Sequence, residues 1–389
     1  MATREDSDNL AWDRSDELWE EALRQVRLPS QCRKIESFAE RISGKPATLV
    51  SPLIIGGFNV LYPIRLEGSS APVLVRVPCP DQAVFPEEKT VAEAATATFI
   101  AQKTQVPVPK IFHHGIDSEI GPFMIIEDLG TRRGMGQALE APREDLNETA
   151  VLDPNISETK LKTLLAKQGR LGTFGFAEDD WSTQSQHARA TLPMPDGSGS
   201  FRLWADDFRP ANVLVDGNDE IIGAIDWEFA YVGPTQLVLD APWWLLLDAP
   251  EMWDNGIEDW ASVYERRLET WISAMQQAEQ DVGPSSLLLS AYMRESWETG
   301  RFWLDYAARK SWAFDTIYWK YLDERFFGER ERDFPKKDLW RGRVHLLSED
   351  ERAAMEPLVQ TKMQESQERV LVEWDAEDAR RRLSSFLFD

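Results

Sequence analysis

The stretch "DDFRPANVLVDGNDEIIGAIDWE", residues 206–228, decides the fold. Two short apolar runs, 213–215 and 221–225, flank the polar segment 216–219, and this pattern predicts an antiparallel hairpin. Asn212 stands just before the first strand and Asp226 just after the second, so the hairpin brings the two side chains to the same end. Asp207 lies five residues before Asn212. The sequence therefore predicts three oxygen-bearing side chains at one hairpin mouth.

These three residues have the spacing of a phosphoryl-transfer site. In such sites an Asp accepts the proton of the attacking hydroxyl, an Asn shortly after it holds a magnesium ion, and a later Asp holds the magnesium that bridges the phosphates. Mg²⁺ keeps several waters and needs only one or two hard oxygens from the protein. We therefore predict Asp207 as the base and Asn212 and Asp226 as metal ligands. For the spacing alone, a polar-capped hairpin without a metal remains the alternative.

The flanking words "LWADDFRPANVLVD" (203–216) and "IDWEFA" (225–230) resemble the aminoglycoside phosphotransferase and choline kinase-like superfamily. The words "PWWLLL" (242–247) and "SWAFDTIYW" (311–319) resemble its fungal branch. The resemblance covers roughly residues 45–130 and 200–380. It implies an α+β, two-lobed protein kinase-like fold with a small β-rich N-lobe and a larger helical C-lobe. It also implies ATP and Mg²⁺ as cofactors and a small-molecule hydroxyl acceptor, whose identity stays open.

The segment 49–130 independently indicates a nucleotide-binding lobe. Gly56 and Gly57 separate the apolar pair 54–55 from a strand-like run at 60–66, which suits a glycine turn whose backbone approaches phosphates. A plain hairpin turn is the alternative for two glycines. The next strand, 73–77, carries Arg76 where the family usually has a Lys that reaches the phosphates. Because Arg and Lys are not interchangeable, this departure bears directly on catalysis.

A helix and a hinge are predicted after that strand. Residues 88–103 have helical composition, with an apolar face predicted at Val91, Ala94, Ala95, Thr98 and Phe99. By resemblance, Glu93 on this helix pairs with Arg76. The run "FMIIEDLG", 123–130, predicts a buried strand that leads into the hinge between the lobes. The resemblance implies that backbone groups of Glu127 and Leu129 meet the adenine edge there.

The chain divides into four predicted segments. These are an N-terminal helical extension (1–44), the nucleotide-binding N-lobe (45–130), a poorly ordered or shortened connector (131–200), and the catalytic hairpin with the helical C-lobe (201–389). Within the connector, 158–167 has helical composition. Tryptophans are frequent after residue 236, and the stripe formed by Trp312 and Trp319 is predicted to be core rather than an aromatic cage for an acceptor.

Composition narrows the choice of partners. A net charge of −24 argues against binding nucleic acid or anionic membranes, both of which attract clustered Lys and Arg. Two cysteines, Cys32 and Cys79, are too few for a disulfide framework or a metal cluster. We find no apolar run long enough to span a membrane and no leader pattern, so a cytoplasmic protein is expected. The oligomeric state stays open.

One alternative from another class also remains open. The family typically has a His-Gly before its catalytic Asp, whereas this chain has Ala205 and Asp206. Together with Arg76, these departures allow a non-catalytic kinase-fold protein that binds nucleotide or serves as a scaffold.

Overall fold

The computed structural model describes residues 2–80, 82–142, 151–174, 201–234, 240–282, 288–330, 334–368 and 375–384. They form a small lobe built on a sheet and a larger helical lobe, which confirms the predicted α+β architecture. The strands are β1 Ala47–Leu49, β2 Ile54–Ile55, β3 Asn59–Leu66, β4 Val73–Pro78, β5 Ile111–Gly115, β6 Phe123–Glu127, β7 Phe201–Ala205, β8 Val213–Val215, β9 Ile221–Ala224 and β10 Ala230–Pro234.

The helices lie at both ends of the chain, in the small lobe (α3) and in the larger lobe. They are α1 Ala2–Val26, α2 Pro29–Ser43, α3 Pro86–Lys103, α4 Gly136–Leu139, α5 Glu158–Phe174, α6 Ile257–Val282, α7 Leu289–Thr299, α8 Arg301–Arg309, α9 Phe314–Ile317, α10 Asp323–Phe327, α11 Glu349–Glu368 and α12 Ala376–Ser384. A π-helical turn, Tyr318–Leu322, joins α9 to α10. Short 3₁₀ turns at Pro210–Asn212 and Trp227–Phe229 adjoin the hairpin. No helix among these described residues is both long and apolar enough to cross a membrane.

The sheet of the small lobe is antiparallel throughout, in the order β1-β3-β4-β6-β5, with β2 also paired to β3. Alternation along β3 turns Val60, Tyr62 and Ile64 toward one face, where all three are fully buried. Helix α2 covers that face with Phe38, which makes an edge contact with the ring of Phe123. The opposite face, with Leu61 and Leu74, is left to line the space between the lobes.

The predicted apolar face of α3 is wrong. Val91 and Phe99 are each 43% exposed, and the buried residues of the helix are instead Thr90, Glu93, Ala94, Ala97 and Ile100. The helix is turned by the ion pair between Glu93 and Arg76 of β4, which draws a charged residue to the inside. Periodicity of apolar residues could not show this, because a buried carboxylate counts as polar in any such pattern.

Aromatic residues form the core of the helical lobe. Trp260 of α6 is fully buried, stacks on Tyr264 with ring centroids 4.4 Å apart, and donates from Nε1 to the carbonyl of Asp248. Trp244, Trp271 and Trp303 are also buried. The prediction for Trp312 is wrong, since this side chain is 55% exposed.

Part of the predicted connector is described. The helical composition at 158–167 is confirmed and extended by α5, whose residues Leu161, Leu164 and Leu165 join the core of the larger lobe. Residues 143–150 and 175–200 of the connector lie outside the described residues. The predicted division into four segments stays a prediction.

Candidate active site

The predicted hairpin is confirmed. Strands β8 and β9 pair antiparallel, with Val213 opposite Ala224, and the N–H of Ile225 donates to the carbonyl of Asn212 over 2.9 Å. Asn212 and Asp226 therefore flank the open end of the hairpin, as expected from the sequence. Gly134 and Gly223 permit close packing around it, because an added Cβ would collide with Ala211 and Leu129 respectively.

Asp207 is held by two neighbours. The Nδ2 of Asn212 donates to Asp207 Oδ2 at 2.9 Å and to the Asp207 backbone carbonyl at 2.8 Å. The Nε of Arg209 lies 2.8 Å from the other carboxylate oxygen. Asn212 is only 8% exposed, so its orientation is fixed by burial as well as by these bonds. The amide nitrogen faces Asp207, which leaves the oxygen of Asn212 as the atom that could coordinate a metal.

Asp226 adopts an unusual backbone conformation. Its φ of 67° and ψ of 58° place it in the left-handed region, which a non-glycine residue occupies at a cost. Burial raises the pKa of its carboxyl, and the neighbouring Glu228 and Asp207 raise it further, whereas Arg76 lowers it. The same carboxylates that make Asp226 hard to ionise would favour a cation at this position.

Arg76 joins three carboxylates. Its Nη1 contacts Glu93 Oε1, and its Nη2 lies 2.9 Å from both Asp226 Oδ1 and Glu228 Oε2. The side chain is 9% exposed, and its Nε has no hydrogen-bond partner among the described residues. The predicted pairing of Arg76 with Glu93 is therefore present, and the guanidinium reaches the hairpin mouth as well.

The sequence did not single out Glu228. Its side chain is 1% exposed and accepts from Asn59 Nδ2 at 2.6 Å, while Lys89 Nζ lies 2.7 Å away. These contacts and the one to Arg76 tie β3, β4 and α3 of the small lobe to the hairpin of the large lobe. The sequence feature that could have drawn attention to Glu228 is its position two residues after Asp226 in "IDWEFA". That motif does not indicate that the side chain is buried.

A cavity of about 330 Å³ lies between the lobes beside these residues. The predicted residues that line it are Gly56, Gly57, Arg76, Glu127, Leu129 and Asp226. Its walls are largely apolar, with Leu61 and Leu74 from the sheet facing Leu214 from the hairpin. The glycine turn is closed by a 2.9 Å bond from the N–H of Gly56 to the carbonyl of Asn59. Glu93, Asp207 and Asn212 do not line the cavity: Glu93 contacts the lining residue Arg76, and Asn212 is bonded to Asp207.

The two departures before Asp207 have structural consequences. Asp206 Oδ2 lies 2.8 Å from Lys310 Nζ, so Asp206 pairs with the helical lobe while its neighbour Asp207 pairs with Arg209. Ala205 is the last residue of β7 and pairs with Ala230 of β10. Phe208 stacks on Trp227 with ring centroids 5.5 Å apart. This stack joins the segment that carries Asp207 to the residue after Asp226.

The residues present fit a divalent cation. Their oxygens are hard donors, and the connected group of Arg76, Lys89, Glu93, Asp226 and Glu228 carries one more negative than positive charge. Asn212 and Asp226 would supply the protein ligands, with water and phosphate oxygens completing the shell. The roles predicted for the individual side chains stay predictions.

Comparisons with known proteins give one family match. A model of the phosphotransferase enzyme family (APH) matches residues 64–280, more than half of the chain. A search of curated proteins found no match. Among solved structures, a macrolide 2'-phosphotransferase type I is similar at 13% identity and a TM-score of 0.39, over 77% of this chain and 96% of that one. The matched range begins after the glycine turn at 56–57 and contains the last three residues of β3, Arg76, the hinge and the whole hairpin.

Proposed function

Because the chain belongs to the phosphotransferase enzyme family, we propose that it transfers the γ-phosphoryl group of ATP to a hydroxyl group of a small molecule. The observation that carries the proposal is the convergence of Asp207, Asn212 and Asp226 at one hairpin mouth, beside a cavity that Asp226 and Arg76 line. Membership of the family alone leaves the donor, the metal and the acceptor open.

The cavity suits a nucleotide in one orientation. Leu61, Leu74 and Leu214 offer apolar walls for a base, with the hinge at their edge. The N–H of Glu127 already donates to the carbonyl of Lys110 over 2.9 Å, so Glu127 would offer its carbonyl to the adenine amino group. Leu129 would offer its N–H. The glycine turn and Arg76 then lie where the phosphates would be.

The reaction needs a proton acceptor and an aligned phosphate. The acceptor oxygen attacks the γ-phosphorus, its proton passes to the Asp207 carboxylate, and the bond to the β-phosphate oxygen breaks to release ADP. Asn212 orients the Asp207 carboxylate through its 2.9 Å bond. Bound Mg²⁺, held by Asn212 and Asp226, would neutralise the phosphate charge. Arg209 shares the Asp207 carboxylate, so a bound hydroxyl must enter beside it.

One observation favours the alternative of a kinase-fold protein that binds nucleotide without turnover. Both terminal nitrogens of Arg76 are engaged by carboxylates, and phosphates must compete with Asp226 and Glu228 for the second one. Phosphates would gain access to this nitrogen of Arg76 only if Asp226 bound Mg²⁺ in place of Arg76. The two functions therefore differ in whether the metal is needed for binding and in whether ADP is formed.

The decisive test begins with binding. Thermal unfolding is measured with ATP alone, MgCl₂ alone and both, with AMP plus MgCl₂ as the matched control that lacks the transferable phosphates. We expect a rise in midpoint only with ATP and MgCl₂ together. ADP release is then measured across a set of hydroxyl compounds. A rise in midpoint without ADP release from any acceptor supports the non-catalytic alternative, and no rise with any nucleotide contradicts both.

A further inference from the structure

A second cavity, of about 120 Å³, lies in the helical lobe beside Ala205, Asp206 and Phe208. Asp206 and Phe208 line it, whereas Asp207 between them is turned toward Asn212. The three residues form a turn after β7, in which the N–H of Phe208 donates to the carbonyl of Ala205 over 3.1 Å. The cavity is therefore separate from the space where the acceptor hydroxyl would meet Asp207.

The walls are mostly apolar, with many aromatic rings, but two buried polar atoms interrupt them. The side chain of Gln168 is 1% exposed, and its Nε2 donates to the carbonyl of Phe208 at 3.3 Å. Its Oε1 has no hydrogen-bond partner among the described residues, and neither has the Nε1–H of Trp243. Both side chains line the cavity. Buried groups are nearly always paired, so one orphan acceptor and one orphan donor at a single cavity call for a partner.

We propose that this cavity binds a small, neutral, aromatic molecule that carries a hydroxyl group. A hydroxyl can donate to Gln168 Oε1 and accept from Trp243 Nε1–H, and so supplies both missing bonds in kind. The apolar walls include Trp204, Trp227, Trp244, Trp271 and Met275, against which a ring packs favourably. At about 120 Å³ the cavity is somewhat smaller than the apolar cavity of about 150 Å³ that holds benzene, so one small ring is the largest group it admits.

Charge excludes an ionic ligand. The charged residues at the polar end are already paired: Asp206 with Lys310, and Asp240 with Ser296 and Arg309. A charged molecule would lose its hydration without gaining an opposite charge. The ligand also packs against Phe208 and Trp227, the stacked pair that adjoins Asp207 and Asp226. Occupancy would therefore brace the two segments that carry the predicted base and metal ligand.

Calorimetry with phenol and benzene on the full chain tests the proposal without requiring any activity. Phenol should bind saturably, and benzene, which has the ring but no hydroxyl, should bind roughly tenfold more weakly. In Gln168→Met the apolar volume is kept and the acceptor is lost, so phenol should approach the affinity of benzene. Gln360→Met, on the exposed face of α11, is the matched control and should bind phenol as the unmodified chain does.

A direct measurement covers the case in which Gln168→Met does not fold. Crystals of the unmodified protein with 4-bromophenol should show the anomalous signal of bromine between the Trp204 and Trp271 rings. Bromine elsewhere, ordered water alone in the cavity, or equal affinities for phenol and benzene would overturn the proposal. The ATP and Mg²⁺ measurements are independent of each of these results, so the failure of one function is distinguishable from the failure of the other.

Discussion

The side-chain amide of Asn212 donates to the carboxylate of Asp207 over 2.9 Å and to its backbone carbonyl over 2.8 Å. One buried side chain thereby fixes the predicted base and, by the direction of its nitrogen, leaves its own oxygen for the predicted metal. Asn212 is itself fixed, because its carbonyl accepts from Ile225 next to Asp226. The predicted base and the predicted metal ligands are therefore parts of one hydrogen-bonded unit, and substitutions in it should separate the rate of transfer from nucleotide binding.

Asp207→Asn should lower the rate of phosphoryl transfer by roughly 10²–10⁴ while ATP affinity stays within a few-fold. The substitution removes the proton acceptor and leaves the ligands of the nucleotide in place. Steady-state ADP release and calorimetry with ATP and MgCl₂ measure the two effects. The neighbouring control is Asp206→Asn. Because Asp206 pairs with Lys310, this variant should retain most of the rate of phosphoryl transfer. An equal loss of ATP binding in Asp207→Asn would contradict the assigned role.

Asp226→Ala should abolish the part of ATP binding that depends on magnesium. The triphosphate loses its main counter-ion when the metal loses this carboxylate. Titrations of ATP with and without MgCl₂ should then coincide in the variant and differ in the unmodified protein. Asp254→Ala removes an exposed carboxylate elsewhere in the same lobe and should change neither titration. A magnesium dependence that survives in Asp226→Ala would show that the hairpin mouth is not the metal site.

The hairpin could be predicted because its information is local. Two apolar runs and a polar turn within 216–219 specify both the pairing of β8 with β9 and the positions of Asn212 and Asp226. The two-lobed fold followed from motifs that cover most of the chain. Gly56 and Gly57 were predicted from a glycine turn before a strand, whereas Glu127 and Leu129 were predicted from the family resemblance, and all four line the cavity.

The role of Glu228 could not be predicted in the same way. Its partner Asn59 is 169 residues away in the chain, and the contact exists only because the lobes meet. Within the small lobe, the ion pair of Glu93 with Arg76 likewise accompanies a face of α3 on which Glu93 is buried, while Phe99 is exposed. Sequence periodicity assumes that the apolar face is the buried one, and an interior built on ion pairs violates that assumption. The sequence therefore predicted the residues at the open end of the hairpin but not the buried ion pairs around them.

Arg76→Ala should destabilise the protein by about 3–5 kcal/mol, because it leaves Glu93 and Glu228 buried without their common partner. It should also weaken ATP binding, and Glu93→Ala should weaken it less. The double variant should lose less than the sum of the two, since the residues act as one unit. Urea unfolding and calorimetry give the two free energies.

Arg76→Lys tests whether Arg76 contributes to ATP binding and to phosphoryl transfer. A single ammonium cannot reproduce the fork that holds Glu93 on one nitrogen and Asp226 and Glu228 on the other. We expect the lysine variant to be less stable and to bind ATP more weakly than the unmodified protein. Additive or negligible effects in the Arg76 and Glu93 series, with no activity gained in Arg76→Lys, would favour the non-catalytic alternative.

The buried pair of Asp240 and Asp305 should make stability depend on pH. Burial, with the neighbouring Asp240 carboxylate, raises the pKa of Asp305 to about 9, and its two oxygens are left unpaired among the described residues unless it carries a proton and donates it to Asp240. The folded form thus binds a proton that the unfolded chain releases near pH 4. The stabilisation is complete below about pH 4 and is lost as pH rises toward about 9.

Asp305→Asn keeps a donor for Asp240 but has no titrating proton. Its stability relative to the unmodified protein should therefore improve between pH 6.5 and 9, by up to about 1.4 kcal/mol per pH unit. Urea unfolding across that range measures the difference, with Asp315→Asn, an exposed carboxylate on α9, as the control that should follow the unmodified slope. Parallel pH profiles for Asp305→Asn and the unmodified protein would show that Asp305 is charged in the folded state.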